Sequence, residues 1–226
     1  MTSSAAQVVE LVRVRPSGWR VGMQLIPVEG GVLIHSPTWL GEDTFPRVAA
    51  VGQPVAMLAP NHFHHLSLPR FRERWPGIPV VAAAEALPRL RRKGHPVQPV
   101  ESLGTSLGSH VAFHPCAGVR TGETWVSHRS ASGTTLVVCD AFFNVPGPLT
   151  GVEGWLLRVT RTGPGLRLGR TFQWAALRDP HVYAQWVRAT LEVVQPDCVH
   201  FSHGEPIRGP DCTARLLAAL ASALER

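Results

Sequence analysis

Three histidines fall within four residues of the chain, at positions 62, 64 and 65 in "APNHFHHLSL". They follow the apolar run "PVAMLA", which is typical of a short buried strand. Two other residues that can bind metals also follow apolar runs: Asp140 comes after "TTLVVC", and His203 comes within "CVHFSHG". Imidazole nitrogens and carboxylate oxygens are the ligands of zinc, iron and manganese in proteins. The residue types and their positions therefore indicate a metal site.

Each of these residues also has a purely structural interpretation. A single buried histidine is more often hydrogen-bonded than metal-bound, Asp140 could cap the segment after its strand, and His203 with Gly204 could form a turn. All of these residues lie at or just after the end of a predicted strand. This common placement favours a functional site over the structural alternatives, because functional groups in α/β folds collect in the loops beyond strand ends.

The elements that must position these residues alternate along the chain. Apolar runs predict strands at "QLIPV", "GVLIHS", "PVAMLA", "IPVVAA", "HVAFHP", "GETWVSH", "TTLVVCD" and "DCVHFSHG". Helices are predicted at "FPRVAAVG", "LPRFRERW", "AEALPRLRRKG", "DPHVYAQWVRATLEVV" and "DCTARLLAALASALER", and residues 146–169 are predicted as a long loop or lid containing a helix. This order predicts an α/β chain with two sheets face to face and helices outside, and a length of 226 residues fits a single domain, 1–226.

Composition narrows the possible partners. The formal net charge is +6, and Lys93 is the only lysine, so the positive charge is almost entirely arginine. The arginine-rich segments "RFRERWPG" and "RLRRKG" are interpreted as solvated helix faces, with a nucleic-acid or anion-binding patch as the alternative. No apolar run reaches the length of a membrane-spanning helix, so no membrane partner is expected, and without a recognisable signal peptide a cytoplasmic location is expected.

Other common active sites have no support in the sequence. No P-loop or dinucleotide glycine fingerprint occurs, and the G-x-S-x-G stretch at Gly104–Gly108 neither follows a predicted strand nor opens a predicted helix, as a serine nucleophile of that type requires. The four cysteines contain no C-x-x-C pair, which argues against a zinc ribbon. Trp155 and Trp174 flank the Gly- and Pro-rich region; core packing is favoured for both, with an apolar substrate pocket as the alternative.

In their order, "NHFHH", "VVCDAFFN" and "FSHGEPI" resemble the motifs of the metallo-β-lactamase fold superfamily. Those motifs are His-x-His-x-Asp-His after a strand, an isolated third-motif histidine, an aspartate at the end of a later strand, and a final Ser/Gly-His-Gly. The segments "GMQLIPVEGGVLIHSPT" and "RTGETWVSHRSASGTTLVVCDAFFNV" resemble a branch whose first motif is degenerate and reads roughly Asn-x-x-His-His. The resemblance spans about residues 8 to 207 and implies a four-layer αββα sandwich of two mixed sheets with outer helices.

The resemblance also implies a ligand set. Its residues are His62, His64, Asp140 and His203. With His62 and His64 aligned to the first two histidines of the motif, its aspartate falls on Leu66 and its last histidine falls on Ser67. The third-motif histidine falls on Ala117. The expected site is therefore incomplete and holds at most one ion, with zinc expected and iron or manganese as alternatives.

Several nearby groups could compensate for the missing ligands. His114 or Cys116 could supply the third-motif contact, and His65 could act as a ligand, as a group that orients a ligand, or as the catalytic base. Asp140 is the other candidate for a catalytic residue. His35, at the end of an early strand, is interpreted as structural, with a place in the pocket as the alternative.

The implied function is a metal-dependent hydrolase acting on a small molecule. The alternative is a non-catalytic binding protein that keeps the fold and has lost the metal site. A nucleic-acid-processing enzyme is a third possibility, favoured by the arginine-rich segments and disfavoured by the missing second-metal ligands.

Overall fold

The structure of the chain is a computed structural model that describes residues 6–148, 150–160 and 162–224. Its first sheet has six strands, in the spatial order β1 to β6. They are β1 (Val9–Val14), β2 (Arg20–Val28), β3 (Gly31–His35), β4 (Pro54–Leu58), β5 (Val80–Ala82) and β6 (Gln98–Pro99). The first three strands pair antiparallel, and β3 through β6 pair parallel.

The second sheet has five strands. They are β7 (Val111–Pro115), β8 (Thr124–Ser130), β9 (Gly133–Val138), β12 (Cys198–Phe201) and β13 (Ile207–Arg208), and their spatial order is β13-β12-β9-β8-β7. Strands β9 and β12 run parallel, so both end at the same edge of the sheet. A separate antiparallel pair, β10 (Phe142–Val145) and β11 (Gly165–Leu168), lies beside that edge.

Seven helices accompany the sheets in the described part of the chain. They are α1 (Thr44–Val51), α2 (Leu68–Arg74), α3 (Leu87–Arg92), α4 (Gly151–Val159), α5 (Arg170–Ala175), α6 (Pro180–Val194) and α7 (Cys212–Leu224). The start of α6 is fixed by Asp179, whose Oδ1 accepts hydrogen bonds from the backbone nitrogens of His181 and Val182 at 3.0 Å each. Among the described residues, no helix is both long and apolar enough to span a membrane.

Consecutive strand residues alternate between two cores, as the pleat of a strand requires. In β2, Ile26 packs between the sheets with Val126 and Val137 of the second sheet. Its neighbour Leu25 packs on the opposite face, in the cluster that contains Phe71 of α2.

The second sheet is covered in the same way on its outer face. Trp125 of β8 is buried there with Tyr183 of α6 and Leu216 of α7. The layers are thus helix, sheet, sheet, helix, and the predicted αββα class is confirmed.

The predicted strands and helices are all present near their predicted positions. The sequence patterns predict none of β1, β6, β10, β11, β13 and α5. The pairing of β10 with β11 is not predicted either, because the patterns assign residues 146–169 to a loop or lid around one helix. That helix is α4, but the segment after it returns to pair with β10.

Candidate metal centre

Three side chains from three strand ends converge on one point. His64 follows β4, Asp140 follows β9 and His203 follows β12. Nε2 of His64 lies 3.1 Å from Oδ1 of Asp140, and Nε2 of His203 lies 3.2 Å from the same oxygen. One donor atom from each of the three residues lies within 4.8 Å of the others, and all three residues are partly buried.

The charges in this cluster stabilise one another. Burial opposes ionisation of Asp140, but the two histidines, through their charge and hydrogen bonds, hold the pKa of its carboxyl well below the usual range. Burial likewise lowers the pKa of His64, but the Asp140 carboxylate outweighs burial and raises that pKa above its ordinary value. Asp140 is therefore an ionised carboxylate that can only accept hydrogen bonds or bind a cation.

The first sheet holds His64 from behind. Ser36, the residue after β3, has a φ of 58°, an uncommon conformation for a non-glycine residue. Its Oγ lies 2.6 Å from Nδ1 of His64. A metal-binding histidine usually donates its second ring N–H to such a partner, so Ser36 is placed to orient the ring with Nε2 toward the cluster.

The loop after β4 divides its side chains between two sides. Asn61 points into the cluster, where its Nδ2 donates to Oδ2 of Asp140 at 2.9 Å. His62 points away, and Nη1 of Arg89 lies 3.2 Å from its Nε2. Because a guanidinium can only donate, this nitrogen of His62 is an acceptor already in use. Burial and then the Arg89 charge lower the pKa of His62 to about 4, which keeps the ring neutral.

His65 also lies outside the cluster. Its Nδ1 is 3.1 Å from Nε2 of His95, a residue of the segment after α3. Burial and neighbouring positive charge lower the pKa of both imidazoles. The structure therefore brings His64, Asp140 and His203 together, but it leaves the predicted ligand His62 and the predicted base His65 on the other side of the loop.

The candidates for a replacement ligand are elsewhere too. Nε2 of His114 lies 2.8 Å from Oγ of Ser127, within the second sheet. Cys116 is buried in the outer core with Trp125, and burial raises the pKa of its thiol well above the usual range. His35 is fully buried, with Nδ1 at 3.0 Å from Oε1 of Gln24, in keeping with its structural interpretation.

A buried glutamate that the sequence patterns did not single out supports the aspartate loop. The side chain of Glu123 accepts hydrogen bonds from the backbone nitrogens of Asp140 and Ala141 and from Nε1 of Trp125, each at 3.1 Å. Glu123 has no exposed surface. Burial, and then the charge of Asp140, raise the pKa of Glu123 to about 7. Its role is to hold the turn that presents Asp140.

Aromatic rings hold His203. Its imidazole stacks on Trp19 with ring centroids 4.9 Å apart and on Phe143 with centroids 5.6 Å apart. The next residue must be glycine: Gly204 has a φ of 123°, and a Cβ there would lie 2.3 Å from the backbone oxygen of Asn144. Stacking and this close approach fix the direction of the ring.

A cavity of about 460 Å³ opens above Asp140 and His203. Its lining includes Asn61 from the histidine loop and Phe172 from α5. Trp155 and Trp174 neither line this cavity nor pack in the core, since 56% and 86% of their surfaces are exposed. The core packing favoured for these two tryptophans is wrong.

The three convergent residues fit a divalent transition metal. Two imidazole nitrogens and one carboxylate oxygen are a donor set used by catalytic zinc and iron sites. Donors that share one ion at about 2.0–2.2 Å lie roughly 3–3.5 Å apart, and both Nε2–Oδ1 separations fall in that range. Three protein ligands also leave room for a substrate or a water.

No protein-family model matches the chain. No curated protein matches it either. Solved structures do match it. Rubredoxin oxygen:oxidoreductase from Desulfovibrio gigas superposes with a TM-score of 0.66 at 15% identity, over 98% of this chain and 61% of that protein.

Two further similar structures are metallo-β-lactamases. The enzyme from Pontibacter korlensis superposes with a TM-score of 0.59 at 11% identity, over 97% of this chain and 96% of its own. The DIM-1 enzyme superposes with a TM-score of 0.56 at 10% identity, over 96% and 92%. Together with the two facing sheets and the outer helices, these matches show that the chain has the metallo-β-lactamase fold.

Proposed function

We propose that the chain is a metal-assisted hydrolase of small molecules that holds one divalent ion with His64, Asp140 and His203. Zinc is the expected ion, with iron and manganese as alternatives. The observation that carries this proposal is the convergence of three metal-binding donor atoms beneath a cavity. The similar structures include metallo-β-lactamases, a name that agrees with a metal-assisted hydrolase.

The directions of the side chains in the histidine loop, the segment after β4 that contains His62, His64 and His65, support one bound ion rather than two. If His64 takes the last place in the pattern His-x-His-x-Asp-His, the three other ligand positions fall on Ala59, Asn61 and Phe63. A methyl group, an amide and a phenyl ring replace two imidazoles and a carboxylate. This alignment is shifted by three residues from the one given above, in which the motif begins at His62 and ends at Ser67. The shifted alignment agrees with the structure, where Asn61 faces Asp140 and Phe63 lines the cavity.

A bound ion would polarise a substrate oxygen and make a bound water more acidic. The protein side chains would orient the ligands, exclude water and transfer the proton. Ser36 and Asn61 orient the ligands, and the aromatic walls exclude bulk water. Among the described residues lining the cavity, Asp140 and His203 are the titratable ones. Proton transfer would therefore fall to one of these two residues rather than to His65, with Asp140 as the candidate, although its low pKa makes it a weak base.

Zinc titration of chelator-treated protein tests this proposal. We expect one tight site per chain, and hydrolysis of neutral aryl esters at least about tenfold faster in the zinc-restored protein than in the chelated protein. Two tight sites would contradict the ligand assignment. Zinc uptake with no gain in hydrolysis across a broad ester panel would contradict the catalytic role.

A specific observation favours the alternative, a non-catalytic binding protein. Both oxygens of Asp140 are already satisfied within the protein: Oδ1 faces His64 and His203, and Oδ2 accepts from Asn61. This network closes without an ion. If the chain takes up no zinc, iron or manganese, the binding-protein function replaces the hydrolase.

A further inference from the structure

We infer that the ligand of this cavity has an uncharged, largely apolar body and one hydrogen-bonding group that meets Thr121. The inference rests on the proposed function only in taking the cavity as the substrate site. It concerns the walls of the cavity, which lie beyond the three donor residues.

The walls are mainly hydrocarbon and aromatic. Trp19, Phe63, Phe143, Phe172 and Leu156 all line the cavity. A volume of about 460 Å³ falls in the usual range for small-molecule sites. Aromatic walls of this kind favour a flat or aliphatic body, because the main gain on binding comes from apolar surface removed from water.

Among the described residues, two buried polar atoms of the wall lack a hydrogen-bond partner: Oγ1 of Thr121, and Nδ1 of His203, whose ring stacks on Trp19 and Phe143. Thr121 is 1% exposed and lines the cavity, and its Oγ1 has no hydrogen-bond partner among the described residues. A buried hydroxyl without a partner is unfavourable, and a ligand that bonds to it removes that cost. Three other threonines, Thr160, Thr162 and Thr171, add neutral polar edges to the lining.

The described lining contains no arginine or lysine. Nearby arginines face other groups: Arg89 faces His62 across the loop, and Nη2 of Arg120 donates to the backbone oxygen of Leu177 at 2.6 Å. The one ionised acid of the lining is Asp140. A carboxylate or phosphate on the ligand body would lose its hydration and meet no cationic partner in these walls.

The test uses metal-free protein, so that ligand contact with an ion plays no part. Two probes share one aromatic body: 2-naphthamide is neutral, and 2-naphthoate is anionic. Calorimetric titration should show 2-naphthamide binding at least about tenfold more tightly than 2-naphthoate. Equal or tighter binding of 2-naphthoate would overturn the inference, as would no binding of 2-naphthamide up to roughly 1 mM.

Variants locate the effect in the walls. Thr121→Val should weaken 2-naphthamide about fivefold while leaving the melting temperature unchanged or higher, because the lost hydroxyl has no described partner. Thr171→Arg, on the exposed start of α5, should strengthen 2-naphthoate, whereas Trp174→Arg, on the same helix but outside the cavity, should not. If Thr121→Val leaves 2-naphthamide affinity unchanged, the assigned contact is wrong.

Arg161 lies outside the described residues, so both probes are also measured with Arg161→Ala. A preference for 2-naphthoate that disappears in this variant would overturn the inference and assign anion binding to Arg161. Because all of these measurements are made without metal, their failure is distinct from the failure of the hydrolase proposal, which is decided by zinc uptake and zinc-dependent hydrolysis.

Discussion

Replacement of Asp140 by asparagine should lower zinc affinity by at least about 100-fold, because it removes the only anionic donor of the set and leaves two neutral imidazoles. The asparagine side chain has nearly the shape of the aspartate that it replaces, so the fold should survive. Zinc affinity is measured by letting the metal-free protein compete with a chromophoric chelator for zinc. Circular dichroism confirms that the variant is folded.

The matched control is Asp179→Asn. Asp179 caps α6 and belongs neither to the convergent donors nor to the cavity lining, and asparagine caps helices about as well as aspartate. Zinc affinity should therefore be unchanged in this variant. An Asp140→Asn protein that still binds one zinc with wild-type affinity would show that the ion lies elsewhere.

The largest expected effect on stability comes from Glu123→Ala. This change leaves three buried donors without their acceptor, the backbone nitrogens of Asp140 and Ala141 and the indole of Trp125. Each unsatisfied buried donor costs about 1–3 kcal/mol, which gives roughly 3–9 kcal/mol for three. Because the substitution also relieves the unfavourable burial of the Glu123 carboxyl, the free energy of unfolding should fall by roughly 3–5 kcal/mol. Urea unfolding of metal-free protein measures it. The control is Glu192→Ala on the exposed face of α6, which should change the free energy of unfolding by less than about 0.5 kcal/mol.

Glu123→Gln gives this residue a pH signature. The pKa of Glu123 is about 7 in the folded chain, against 4.5 as the ordinary value. A raised carboxyl pKa means that the folded state holds the proton more tightly, so the contribution of Glu123 to stability falls as pH rises from about 4.5 to 7. The stability of wild type minus that of Glu123→Gln should therefore decrease across this window, by on the order of 2 kcal/mol. A difference that is flat or rising with pH would contradict the raised pKa of this buried carboxyl.

The fold was predictable from the sequence because both faces of each central strand are buried. Runs such as "GVLIHS" and "TTLVVCD" are apolar at consecutive positions, which marks strands that lie between two cores. Among the strands that no pattern predicts, the burial of β1 is partial, and the four residues of β11 follow a helix. Their pairing depends on contacts that no local pattern encodes.

The candidate site was only partly predictable for a related reason. Residues after a strand end no longer follow its alternation, so residue type alone singles out His62 as readily as His64. The choice is made by Arg89, which comes from α3 and takes the ring nitrogen of His62. Asn61 and Phe63 face inward instead, and neither residue type signals a metal site. Glu123 was missed because its partners, the backbone of Asp140 and Ala141, come from a distant turn.

The most direct test of the central claim is the metal content of four histidine variants, measured by elemental analysis after zinc loading and removal of loosely bound metal. His64→Ala and His203→Ala each remove one of the convergent donors. His62→Ala and His65→Ala are the controls, because each removes an imidazole that points away from Asp140. We predict one zinc per chain in the wild type, His62→Ala and His65→Ala proteins, and almost none in His64→Ala and His203→Ala. Loss of zinc in His62→Ala, with zinc retained in His64→Ala, would contradict the account.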